Sequence, residues 1–192
     1  HRYLIAQWKR EIGPDAEGDF SPFLALRMNN GKLFATVETN YFNGTSTGPK
    51  GQAANCPSGQ VPVWLRPETN QIRAFIVGDE TYTAADAGIF NSCSDKLQVI
   101  DRGNFLPKPD SGWIDFAIMT KPGPDGTGHI EIFANDTWIV SIKGHIGHGD
   151  RGLGENQYFK FGPYRAADTT NWTLYYDDFR RSSKCEDVLA DK

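Results

Sequence analysis

Glycine and proline set the strongest limit on what this chain can fold into. Twenty glycines and eleven prolines are spread along 192 residues, so a breaker falls about every six residues. Glycine weakens a helix through backbone entropy, and proline removes an N–H and clashes with the preceding turn. A helical bundle or coiled coil is excluded. Between the breakers lie segments of strand length: Tyr3–Lys9, Phe23–Met28, Lys32–Glu38, Val61–Leu65, Gln71–Val77, Trp113–Met119, His129–Phe133, Thr137–Lys143, Tyr158–Tyr164 and Thr173–Arg180. Asn29-Asn30-Gly31 reads as a hairpin turn, because type I′ turns need residues that tolerate positive φ. Pro122-Gly123-Pro124-Asp125-Gly126 and Ala134-Asn135-Asp136 read as turns for the same reason. One short helix is expected at Ala84–Gly88. Strands at this spacing without alternating helices predict an all-β sandwich, jelly roll or barrel.

Length and composition fit one domain over residues 1–192. Apolar residues make up 39% and aromatic residues 12%, enough to form a core and too many for a disordered chain. No apolar run approaches the roughly 18 residues of a membrane helix; Ala74-Phe75-Ile76-Val77 is typical. The chain carries 20 basic and 24 acidic side chains, net −4. It lacks the basic excess of a nucleic-acid binder. So mild an acidic balance still allows an anionic ligand where local charge is positive.

The three cysteines, Cys56, Cys93 and Cys185, have no zinc-ligand spacing. A Cys56–Cys93 disulfide in a secreted protein is the expected reading, against three reduced thiols in the cytosol. Three glycosylation triplets begin at Asn43, Asn135 and Asn171 and fit secretion. His1 opens directly into a strand, so residues upstream of it are expected. A chain that truly begins with His could also bind copper through its amine and imidazole.

The segment Tyr158-Phe159-Lys160-Phe161-Gly162-Pro163-Tyr164-Arg165 is the most informative for function. Strand side chains alternate faces. Phe159 and Phe161 are therefore expected in the core, with Tyr158, Lys160, Gly162 and Tyr164 on the other face. Two tyrosines and a lysine around a glycine gap suit a groove floor; an ordinary amphipathic strand is the alternative. Ile5, Gln7 and Lys9 are expected to share one face of the first strand, and Arg27 ends a strand with Phe23 and Ala25 on its own face. Gln, Lys, Arg and Tyr together suit a carboxylated ligand. Arginine can hold a carboxylate bidentately and glutamine can donate through its amide.

The order AQW, SPFLALR, GWIDFAIM, GHIEIFANDTWIVS, YFKFGPYR and LYYDDFRR, from Gln7 to Arg180, resembles the heparin lyase I and glucuronan lyase group of polysaccharide lyases. The YFKxGxY segment also resembles that of alginate lyases. The resemblance implies a concanavalin-like β-jelly roll of two bent antiparallel sheets, with substrate on the concave face. It implies β-elimination on a uronate-containing polysaccharide by a monomer, with no cofactor needed for the chemistry. By the same resemblance Tyr164 is the catalytic tyrosine, a general acid and candidate base. Lys160 would hold the substrate carboxylate or favour the tyrosinate, and Gln7 would neutralise the carboxyl. Lys9, Arg27, Tyr158 and Arg165 are the expected substrate-binding residues.

Many relatives have Gln-Trp-His where this chain has Gln7-Trp8-Lys9. A neutral imidazole accepts a proton near neutral pH and a charged lysine cannot. Lys9 could act as a base only if its surroundings held it neutral. Otherwise Tyr164 performs both proton steps, or His145 or His148, also expected among the substrate-binding residues, substitutes from the glycine-rich Lys143–Gly154 stretch, a candidate mobile loop. A carbohydrate-binding module that lost its base is the competing reading. Related jelly rolls often hold a structural Ca²⁺, for which Asp177 and Asp178 are candidates.

Overall fold

The computed structural model describes residues 2–17, 21–39, 55–66, 71–149, 152–164, 169, 171 and 173–189. Eleven strands and two short helices follow one another among them. The strands are β1 (Arg2–Ile12), β2 (Leu24–Asn29), β3 (Lys32–Thr39), β4 (Val61–Arg66), β5 (Gln71–Gly78), β6 (Ser92–Ser94), β7 (Leu97–Asp101), β8 (Phe116–Lys121), β9 (Gly123–Ala134), β10 (Thr137–Ile146) and β11 (Leu153–Tyr164). The helices are α1 (Ala84–Ala87) and α2 (Cys185–Leu189). The strands form two antiparallel sheets. One has seven strands in the order β11-β1-β2-β3-β5-β4-β6; the other has four, β7-β10-β9-β8. This is the expected all-β jelly-roll sandwich.

Period-two patterning explains how the sheets meet. Leu24, Leu26 and Met28 of β2, Leu33, Ala35 and Val37 of β3, and Ile72 and Ala74 of β5 all enter one core cluster. Ile130, Ile132, Val140 and Ile142 of the smaller sheet close it from the other side. Trp8 packs on Phe159 with ring centroids 4.7 Å apart, tying β1 to β11. Two of the three expected turns form as their residues require, but Pro122-Gly123-Pro124-Asp125-Gly126 is not a turn: β9 begins at Gly123, which pairs with Ile146. Asn30 and Gly31 have φ of 50° and 79°, and Asn135 and Asp136 have φ of 49° and 61°, as in type I′ hairpins. Helix α1 has the Thr83–Asp86 capping box.

Other local expectations are corrected. Phe161, expected in the core, is 53% exposed, with the rings of Tyr176 and Phe179 against it. Thr173–Arg180 is not a strand in this structure. Its side chains anchor it instead: Phe179 stacks on Phe159 at 5.1 Å and Tyr176 contacts Phe161 at 4.9 Å. The stretch from Lys143 to Gly154 is not one loop, because β10 continues to Ile146 and β11 begins at Leu153. Ile5 does not share a face with Gln7. The β1–β2 register slips between Leu4 and Ala6, so Leu4 lies opposite Arg27 while Ile5 packs against the core.

A disulfide joins Cys56 to Cys93 across 37 residues, as expected, and fastens the segment before β4 to β6. Such a bond fits an extracellular protein. No helix among the described residues is long and apolar enough to cross a membrane.

Candidate functional site

The outer face of the seven-stranded sheet collects the side chains that the core excludes. Residues opposite one another on antiparallel strands share a face. Gln7 lies opposite Lys160 on β11 and Ala25 on β2, and Ala25 lies opposite Thr36 on β3. These four form one row across the sheet. The next row carries Tyr158 opposite Lys9, and, further along, Glu38 opposite Arg73 and Arg73 opposite Trp64. On the other side of the Gln7 row, Tyr164 lies opposite Leu4, and Leu4 opposite Arg27. The β1–β11 ladder thus brings Gln7, Lys9, Tyr158, Lys160 and Tyr164 to one face, as the alternation predicted.

The two halves of this face differ in burial. Near β11 it is open: Tyr164 is 68% exposed and Lys160 is exposed. The Lys160 ammonium sits 5.3 Å from the Tyr158 ring centroid, a cation–π contact. Partial burial pushes the Tyr158 phenol above its ordinary value, because the charged form loses hydration. Toward β3 and β5 the face is closed. Arg27 is only 3% exposed and Glu38 is fully buried. Arg27 donates from Nε to Thr36 Oγ1 at 2.7 Å, and its Nη2 lies 3.6 Å from Glu38 Oε1. Arg73 donates from Nε to the same oxygen at 2.8 Å, and its guanidinium lies 5.5 Å from the Trp64 ring centroid. Beyond them, Phe34, Phe75, Tyr82 and Phe90 form a second apolar cluster that bounds the polar face.

The two candidate histidines are separated. His148 is buried, with Nε2 4.0 Å from Glu38 Oε2. It lines a water-sized cleft with Arg10, Ser21, Phe23 and Leu153. Arg10 secures that region with bonds to the carbonyls of His148, Leu153 and Gly154. His145 is on β10 of the other sheet, its Nδ1 2.8 Å from the Pro124 carbonyl. Neither lies on the open half of the face.

Asp177 accepts from the Asp178 amide, and Asp178 faces the Arg180 guanidinium at 3.1 Å. No group of three His, Cys, Asp or Glu side chains that could hold a metal occurs among the described residues. Asn135 is exposed, and its Oδ1 accepts from the Asp115 amide at 2.9 Å; Asn171 is exposed. Asn43, Arg165 and His1 lie outside the described residues.

Sequence reading missed Thr36, Glu38 and Arg73. Their signal was present: in Phe34-Ala35-Thr36-Val37-Glu38 and Ile72-Arg73-Ala74 the polar residues alternate with core residues. What could not be read was the pairing of β3 with β5, which joins one carboxylate to a guanidinium 35 positions away.

A family model described as polysaccharide lyase matches residues 1–180. No curated protein and no solved structure matches the chain. With a two-sheet sandwich, a polar open face and a family match over nearly its whole length, this chain belongs to the polysaccharide lyase family.

Proposed function

We propose that the chain cleaves a uronate-containing polysaccharide of the glucuronan kind by β-elimination, outside the cell and as a monomer. The supporting observation is the β1–β11 ladder, which sets Gln7 opposite Lys160 on the face that carries Tyr164. The reaction removes the weakly acidic proton α to the uronate carboxylate. The electron pair forms a carbon–carbon double bond as the 4-linked oxygen leaves and takes up a proton. Gln7 donates through its amide to the carboxylate, where negative charge builds in the transition state. Lys160 adds positive charge beside it. Tyr164 transfers the protons, and its exposure suits a group that must reach a polymer. General acid–base catalysis of this kind contributes about 10²–10⁴-fold.

The second reading, a non-catalytic carbohydrate-binding module, draws on one observation. The position two residues after Gln7 is Lys9, opposite Tyr158, and no histidine takes its place on the open face among the described residues. Ultraviolet absorbance of the unsaturated uronate product, followed on glucuronan, alginate, heparin-type and pectic polymers, separates the two. A rise on one polymer is expected and supports elimination. A flat trace on all, with measurable binding to any, supports the module.

A further inference from the structure

We propose that Tyr176 is a positioning residue for Tyr164, its hydroxyl bridging a backbone group of each strand where β1 and β11 bulge apart. This rests on the reading of Tyr164 as the proton-transfer group. The ladder pairs Ala6 with Phe161 and then Leu4 with Tyr164. One residue of β1, Ile5, therefore faces two of β11, Gly162 and Pro163. A bulge of this kind interrupts the ladder and re-aims the side chains beyond it. Pro163 has no N–H to offer. At this gap the Gly162 N–H and the Ile5 carbonyl each bond a side chain from outside the ladder.

Tyr176 meets both. Its hydroxyl accepts from the Gly162 N–H at 3.1 Å and donates to the Ile5 carbonyl at 2.8 Å. A phenol has one hydrogen to give and lone pairs to receive, so one side chain closes the gap. The ring is held against Phe161 at 4.9 Å, and the same segment is stacked through Phe179 on Phe159. Burial raises the Tyr176 phenol, against a smaller downward pull from the Gly162 bond; the group stays a hydroxyl that can donate. Gly162 has φ of 116° and open space around a notional Cβ. The glycine is required by backbone conformation rather than by close approach of another group. Its freedom also means that little in its own backbone holds this shape. Tyr164 stands two residues further on, and a displacement of about 1 Å at a reacting group can cost about 10²-fold in rate.

Tyr176→Phe keeps the ring and removes only the hydroxyl; Tyr175→Phe, at a side chain 77% exposed, is the control. On the polymer that responds, Tyr176→Phe is expected to lower kcat about tenfold or more, with KM within about twofold of wild type. Tyr175→Phe is expected to match wild type. An unchanged kcat in Tyr176→Phe, a loss confined to KM, or an equal loss in Tyr175→Phe would overturn the proposal. Hydrogen exchange on the unmutated protein tests the bridge without a variant. The Gly162 amide is expected to be as protected as the ladder amides of β11, and free exchange would overturn it too. If instead Tyr164→Phe keeps full turnover, the reading beneath the proposal is what fails.

Discussion

Gln7 shows how far one residue can be understood from its neighbours. Alternation with Ala6 and Trp8 sends it to the outer face, and the β11 register then places Lys160 directly across from it. An amide that neutralises a carboxylate acts mostly where charge grows. Gln7→Ala is therefore expected to lower kcat by about 10²-fold or more, the range seen when one donor to a developing oxyanion is removed. KM should change far less; steady-state kinetics checks this, and a change confined to KM would contradict the role. The facing of Gln7, Lys9, Tyr158 and Lys160 was legible in the sequence because it needs only period two. The burial of Arg27 was not. It depends on Thr36 and Glu38, and so on which strand lies beside β2.

At the scale of elements, the sequence showed β1 to β5 and β8 to β11 as alternating runs between breakers. It hid β6 and β7. Ser92-Cys93-Ser94 has no apolar period, and β4 and the disulfide fix its place from outside. The bulge in β1 was also hidden, since Ile5 obeys the same alternation as its neighbours until the register slips. The β9–β10 hairpin carries an outward cluster of comparable definition. Glu131 accepts from Trp138 Nε1 at 2.7 Å and lies 2.6 Å from His129 Nε2. Burial pushes the Glu131 carboxyl up, but bonds from Trp138, Ser141 and His129 outweigh it and leave the group below its ordinary 4.5. A carboxyl lowered on folding adds stability that is present above the unfolded value and lost as pH falls through the folded one. Glu131→Gln is thus expected to unfold at a lower temperature than wild type above pH 4.5, with the gap closing on further acidification. Thermal unfolding from neutral to acidic pH checks this, and a gap that widens in acid would contradict it.

At the scale of the molecule, two sheets share one apolar core, and the larger sheet turns a polar face outward. The Cys56–Cys93 bond closes a span of 37 residues that contains β4, β5 and α1. Cross-links of this length stabilise by roughly 2–4 kcal/mol, chiefly by restricting the unfolded chain. Removing both sulfurs, as Cys56→Ser with Cys93→Ser, should lower the denaturant midpoint accordingly. An unchanged midpoint would mean that the bond does not constrain the unfolded chain. The polysaccharide lyase family match covers residues 1–180, and β1 and β11, adjacent in the sheet though far apart in sequence, supply most of the open polar face within it.

The most direct test of the central claim is the rate of unsaturated-uronate formation by Tyr164→Phe beside wild type, on the polymer that wild type cleaves. The account predicts a loss of at least about 10²-fold, with oligosaccharide binding and the unfolding temperature retained because the ring stays and the side chain is 68% exposed. Full turnover in that variant would contradict it.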